Sequence, residues 1–192
     1  MIDTVAIGVR ARRFTVSEYY RMAETGILGP DDRVELIEGE VVEMVPIGSR
    51  HNAAVQRLGA VLSNRVEGRA LVFVQGPVRL SESTEPQPDV AVLRPRADYY
   101  AEAHPGPEDV FLLIEVAETS LAYDRDVKVP LYALAGISEV WLVDLSERRV
   151  TRYRSPSAGG HADARTFSGN ERLSPAAFPD VEIGVEEILG SA

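Results

Sequence analysis

No cysteine occurs among the 192 residues, which excludes disulfides, thiolate zinc centres and cysteine nucleophiles. Long apolar runs are missing too: none approaches the ~20 residues that a membrane-spanning helix requires. The opening stretch, MIDTVAIGVRARRFTVSEYY, lacks the apolar core and cleavage site of a secretory signal. Histidine is scarce, and His51, His104 and His161 do not fall at zinc-ligand spacing. No phosphate-binding glycine loop, dinucleotide fingerprint or nucleophile elbow is present, and no repeat or low-complexity block. Lysine is rarer still: Lys128 stands alone against nineteen arginines. A cytoplasmic enzyme or binding module without a membrane partner is the expectation.

What the chain does contain is ordinary in amount and uneven in placement. Its length suits one sizeable core and is short for two, so residues 1–192 are expected to form one domain. Apolar content of 45% and charged content of 26% are those of a globular protein. The net charge of −10 argues against a generic nucleic-acid binder, because phosphate binding draws on an excess of Lys and Arg. The acids cluster, however: DDRVELIEGEVVE holds six acids and one arginine, whereas RRVTRYR is basic. Divalent cations can neutralise such a cluster and change the field that a substrate meets.

Periodicity gives the element order. FTVSEYYRMAETGIL reads as a short helix, with Thr15 and Glu18 at capping-box spacing and Gly26 as a stop. RVELIEGEVVEM reads as two strands about a Glu38-Gly39 turn. SRHNAAVQRLGAVLSNRV places Ala54, Val55, Leu58, Val61 and Leu62 at helical spacing, with Ser49 as the candidate N-cap and His51 in the first turn. ALVFVQGPVRL, PDVAVLRP and VFLLIEVAE read as strands, and DVKVPLYALAG as a helix ended by Gly136, with Pro130 in its first turn or kinking it. SEVWLVDL and RRVTRYR are further strands, and SPSAGGHADART is expected to be a surface loop. VFLLIEV and VWLVDL, apolar almost throughout and separated by a helix, predict a buried parallel pair. The fold class is α/β, a central mixed sheet flanked by helices with an N-terminal helix and β-hairpin.

Glu115 interrupts the apolar run FLLIEVA. A carboxylate there must be paired, protonated or bound to a metal. Asp89 heads PDVAVL, the preceding strand. Either acid alone is explained by an arginine partner near a strand end. Together, on adjacent strands, they form the hard-oxygen pair that Mg²⁺ prefers, and a bound Mg²⁺ assists phosphoryl displacement. Lys128 follows Glu115 by thirteen positions on the next helix, within reach of the same sheet edge, where it could orient a water or stabilise a phosphoryl transition state.

QPDVAVL and LLIEVAETSLAYDRDVKVPLYALAGISEVWLVDL, preceded by VELIEGEVVEM and a helix opening with His51, resemble the Uma-type restriction-endonuclease family of the PD-(D/E)XK nuclease superfamily. The resemblance covers roughly residues 13 to 155 and implies the restriction-endonuclease-like fold. Pro88-Asp89 is similar to the PD element and Glu115 to the acid of (D/E)XK. That element has lysine two positions later, where this chain has Ala117; the resemblance implies that Lys128 is the catalytic lysine, moved onto the following helix. Glu40 matches a recurring family glutamate and is a candidate third metal ligand beside Asp89 and Glu115, or a solvated hairpin acid. Asp124 and Tyr132 match as orienters of the lysine-bearing helix, and His51 is a candidate accessory residue or a structural histidine. The implied activity is Mg²⁺- or Mn²⁺-dependent endonuclease cleavage of nucleic acid, DNA before RNA, by a chain that could act as a homodimer. The alternative, favoured by the net charge, is a non-catalytic nucleic-acid or protein-interaction module that retains the fold.

Overall fold

The structure is a computed structural model that describes residues 11–190; the expectation of one domain over 1–192 also takes in residues 1–10 and 191–192, which lie outside the described residues. Helix α1 (Val16–Glu24) opens with the capping box read from Thr15 and Glu18. The Thr15 hydroxyl accepts from the Glu18 amide at 3.2 Å, and the Glu18 carboxylate accepts from the Thr15 amide at 3.0 Å. Strands β1 (Val34–Ile37) and β2 (Glu40–Glu43) form a separate antiparallel hairpin. Glu38 and Gly39 at its tip have φ of 50° and 77°, the paired positive values of a type I′ turn. Glycine is required at 39 because a Cβ there would lie 2.6 Å from Arg13 Cβ.

Helix α2 (Ser49–Arg65) starts one residue away from the expected cap: Gly48 is the N-cap and Ser49 the first helical residue. The central sheet has six strands in the order β3 (Leu71–Val74), β4 (Val90–Leu93), β5 (Val110–Ala117), β6 (Glu139–Asp144), β7 (Arg149–Ser157) and β8 (Gly160–Ser168). β5 and β6 are parallel, as the two apolar runs predict, and the other neighbours are antiparallel. β3 ends sooner than its apolar run because Gln75 takes φ 53° and Gly76-Pro77 follows.

The segment expected to be a loop is instead a hairpin. Ser157 pairs with Gly160, and β8 runs back along β7 to Ser168. β8 is an edge strand with mostly exposed residues, so it carries none of the apolar alternation by which a half-buried strand is recognised. Cross-strand pairs hold it instead, including Thr151 with Thr166 at 3.0 Å. A two-stranded unit, β9 (Arg172–Leu173) with β10 (Ile183–Gly184), and helix α5 (Val185–Leu189) complete the described chain.

The strands' period of two separates two apolar layers. On one face, Leu58 and Leu62 of α2 pack with Ile114, Val116 and Trp141. On the other, Leu113 and Val140 pack with Val129 and Tyr132 of the helix between β5 and β6. No described helix is long and apolar enough to cross a membrane.

That crossover helix is not uniform. α3 (Leu121–Tyr123) passes through a π turn (Asp124–Lys128) into α4 (Val129–Leu134). The cause is on its C-terminal side. Pro130 has no N–H to donate and its ring crowds the carbonyl four residues back. The chain widens by one residue just before it, and the Val129 amide bonds Asp124 O rather than the carbonyl of Arg125. Such π turns concentrate at functional sites, and this one begins at Asp124 and ends at Lys128.

Candidate active site

Asp89 lies one residue before β4. The β4–β5 register pairs Val90 with Ile114, so one further antiparallel step brings Asp89 opposite Glu115. The Asp89 carboxylate is fixed on one oxygen: Oδ2 accepts from the Val116 amide at 2.8 Å and faces His51 Nε2 at 3.1 Å. Its Oδ1 has only Gln75 Nε2, at 3.5 Å. The bond to Asp89 raises the His51 pKa, with burial opposing.

Glu115 is 3% exposed and Lys128 4%. Lys128 Nζ lies 2.9 Å from Glu115 Oε1 and 3.2 Å from Glu35 Oε2, and the Tyr132 hydroxyl donates to the same Glu115 oxygen. Both contacts fall on Oε1, which leaves Oε2 as the less engaged atom. Burial pushes Glu115 up to about 8, against the opposing pull of Lys128, with Asp124 and Asp89 adding to the rise. Burial pulls the Lys128 pKa down, but the carboxylates of Glu115, Glu35 and Asp124 outweigh it and hold the ammonium above its ordinary value. Lys128 thus sits as an ammonium among carboxylates. Burial and then Glu115 keep the Tyr132 hydroxyl protonated, which suits its role as donor.

Glu35 was not among the residues expected here. The β1–β2 hairpin docks on the segment leading into β4 through the Leu36–Glu85 bridge, which turns Glu35 inward. Its Oε2 also accepts from the Gln87 amide at 3.1 Å. Glu40, the hairpin acid expected as a third ligand, is not brought to the cluster. It sits at the turn end of the hairpin, its side chain 53% exposed, and pairs with Arg13 at 2.9 Å. Asp124 is buried and takes a 2.5 Å hydrogen bond from Ser120 Oγ. Its pKa is raised by burial, with Ser120 and Lys128 pulling the other way. His51 is brought to Asp89, Tyr132 to Glu115, and Asp124 into the field of Lys128, so every named candidate except Glu40 converges.

Glu35, His51, Asp89, Glu115, Asp124 and Lys128 line one cleft of about 270 Å³, and Tyr132 reaches Glu115 from outside its lining. Five carboxylates (Glu35, Glu43, Asp89, Glu115, Asp124) face three basic residues (Arg33, His51, Lys128) across it, so the walls carry a surplus of acid suited to a divalent cation. Among the described residues no group of three or more His, Asp or Glu side chains forms a ready-made cage for a metal. That is compatible with Mg²⁺, which is typically held by one or two carboxylates and keeps several waters. In the Asp89–Glu115 pair, Oδ1 and Oε2 are the oxygens with capacity to spare, and on this donor chemistry the site fits such an ion.

The chain matches the Uma2 family, described as "Putative restriction endonuclease", over residues 16–186. It belongs to that family. The fold is shared with a crystal structure described as "a putative nuclease belonging to DUF820" from Anabaena variabilis, at a TM-score of 0.74 and 17% identity, covering 92% of this chain and 97% of that one. No curated protein matches the chain. The central mixed sheet flanked by helices is thus the fold that the Uma2 resemblance implies.

Proposed function

We propose that this Uma2-family chain is a Mg²⁺- or Mn²⁺-dependent endonuclease that hydrolyses phosphodiester bonds in DNA, acting in the cytoplasm. The observation that supports it is the convergence of two carboxylates and one buried ammonium, Asp89, Glu115 and Lys128, on a single acidic cleft. Asp89 and Glu115 would hold the ion. When bound, it neutralises phosphoryl charge and makes water more acidic.

The rest falls to the chain. The Val116 amide and His51 fix the Asp89 carboxylate in one orientation, and Tyr132 fixes that of Glu115. Lys128, pinned between Glu115 and Glu35, presents a preorganised positive charge that strengthens its hold as negative charge develops on the phosphoryl oxygens. Overall one water adds across one P–O ester bond: its oxygen goes to phosphorus, and the displaced oxygen leaves as a hydroxyl. Two such clefts in a homodimer would cut both strands of a duplex in one encounter, whereas a single chain would cut them in succession.

The test is cleavage of plasmid, linear duplex, single-stranded DNA and RNA in Mg²⁺, Mn²⁺, Ca²⁺ and chelator, for wild type and Asp89→Asn. Metal-dependent cutting that Asp89→Asn abolishes supports the reading. The net charge of −10 favours the second reading, a non-catalytic binding module, and mobility shifts without cutting in any metal would establish that one instead.

A further inference from the structure

Two buried polar atoms on residues of the cleft, one on Tyr123 and one on His51, have no hydrogen-bond partner among the described residues. Tyr123, the last residue of α3, lines the cleft beside Glu35, Asp124 and Lys128. Its hydroxyl is buried and has no hydrogen-bond partner among the described residues. Of the groups that share this part of the cleft, Lys128 pairs with Glu115 and Glu35, Glu35 Oε2 accepts from the Gln87 amide and Asp124 Oδ2 from Ser120, while Glu35 Oε1 and Asp124 Oδ1 take no hydrogen bond from the Tyr123 hydroxyl. His51 Nδ1 is the other such atom on a cleft residue, but that ring is anchored through Nε2 to Asp89. A buried hydroxyl without a partner is destabilising, and phenylalanine would fill the same space without the penalty. Tyr132, further along the same helix, shows the ordinary outcome, since its hydroxyl is committed to Glu115.

We propose that the Tyr123 hydroxyl is a substrate-contacting donor, giving its hydrogen bond to a non-bridging oxygen of a phosphodiester bound in the cleft. The inference rests on the endonuclease reading for its substrate class. The chemistry suits the surroundings. An anionic phosphodiester entering this cleft meets five carboxylates, and it needs donors that those carboxylates have not already captured. An arginine or second lysine at 123 would be drawn into a pair with Glu35 or Asp124. A phenol supplies a donor, adds no charge and keeps its proton throughout, so it leaves the charge balance around Lys128 untouched.

The measurement is the affinity of wild type and Tyr123→Phe for oligothymidylate, followed by fluorescence anisotropy in Ca²⁺. The same titrations are run with stereopure all-Rp and all-Sp phosphorothioate oligothymidylate. Tyr123→Phe should melt at or above the wild-type temperature, since it removes only the unpartnered hydroxyl. It should bind the all-oxygen strand about 10- to 100-fold more weakly, the range for a lost hydrogen bond to a charged acceptor. It should also lose affinity for one sulfur diastereomer and not for the other, because only one non-bridging oxygen accepts the bond. Unchanged affinity for the all-oxygen strand overturns the proposal, and so does an equal loss on all three strands, which would mean a general disturbance of the cleft. The two readings separate cleanly. A wild type that binds through Tyr123 but never cuts sinks the endonuclease and leaves the contact. A wild type that cuts, with binding and cutting indifferent to Tyr123→Phe, sinks the contact alone. A wild type that binds no strand sinks both.

Discussion

Lys128→Ala is the perturbation that tests the site most directly, and its first effect should be on stability. The ammonium it removes is 4% exposed and is the close cationic partner of Glu115 at 2.9 Å and of Glu35 at 3.2 Å, both of those 3% exposed. Removing one member of a buried ion pair and leaving the other costs about 3–5 kcal/mol. For a chain of this size each kcal/mol moves the melting temperature by about 2–4 °C, so the loss should be about 6–20 °C. The deficit should depend on pH with a definite sign. Without the lysine, the Glu115 pKa, already raised by burial, rises further above its unfolded value. The variant's stability is then fullest below the unfolded carboxylate value and falls as pH rises through the folded one. Melting curves at pH 5 and pH 9 should therefore show the larger gap from wild type at pH 9. Lys128→Met with Glu115→Gln should recover part of the loss, because the two residues share one interaction and their effects are not additive. A Lys128→Ala protein within about 1 kcal/mol of wild type at pH 9 would refute the reasoning, since no buried charge pair could then have been broken. Lys128→Arg separates charge from shape. It keeps the cation but spreads it over a planar fork, and DNA cleavage should fall strongly.

The hairpin acids should divide sharply: Glu35→Gln, at the buried contact with Lys128, should lower both cleavage and stability. Glu40→Ala, which gives up only an exposed pair with Arg13, should leave both within about 0.5 kcal/mol of wild type in rate and urea-unfolding assays. Thr15→Ala removes one half of the α1 capping box and should lower unfolding free energy by about 1 kcal/mol in urea, with no change in cleavage. His161 is half-buried beside Tyr153 and hydrogen-bonded to Ile137 O, and burial lowers its pKa. Its contribution to stability is thus present above the unfolded value near 6.5 and lost as pH falls through the lowered native value. Urea midpoints measured across that range should flatten in His161→Gln, and an unaltered slope would remove His161 as the cause.

What could be read from the sequence follows from where each signal resides. Asp89 and Glu115 are conspicuous because a carboxylate inside an apolar strand is locally improbable, and Lys128 because it has no other lysine for company. Glu35 is different. Four glutamates lie between residues 35 and 43, and nothing local sets Glu35 apart except that it shares a period-two face with Ile37. It becomes buried through the Leu36–Glu85 bridge, a pairing across nearly fifty residues that no short window contains. Glu40 fits a family pattern, yet its place at the turn end leaves it in solvent beside Arg13. The strand β8 was hidden for the reverse reason: an edge strand with both faces largely open needs no apolar alternation. The π turn did have a cue, since Pro130 announces a local break in the ladder. Whether the break becomes a kink or an inserted residue depends on packing against β5, which the sequence does not display.

The solitary lysine also has a physical account in the way this chain uses arginine. Arg96 grips Asp98 with Nε and one terminal nitrogen, both at 2.6 Å, and Arg125 grips Asp126 in the same manner at 2.7 and 2.8 Å. Each is a flat fork laid against both oxygens of one carboxylate. The acceptors around residue 128 are arranged otherwise. One oxygen of Glu115 and one of Glu35, from different strands, approach a single nitrogen, and the Glu115 oxygen is shared with Tyr132. A fork cannot be laid on two separate points about one centre without pushing one of them away, whereas an ammonium offers three donors from one atom. Two of those donors suffice for Glu115 and Glu35. The third is the one that a phosphoryl oxygen would meet under the proposed function, and at that point a guanidinium already occupied by its fork would have nothing left to give.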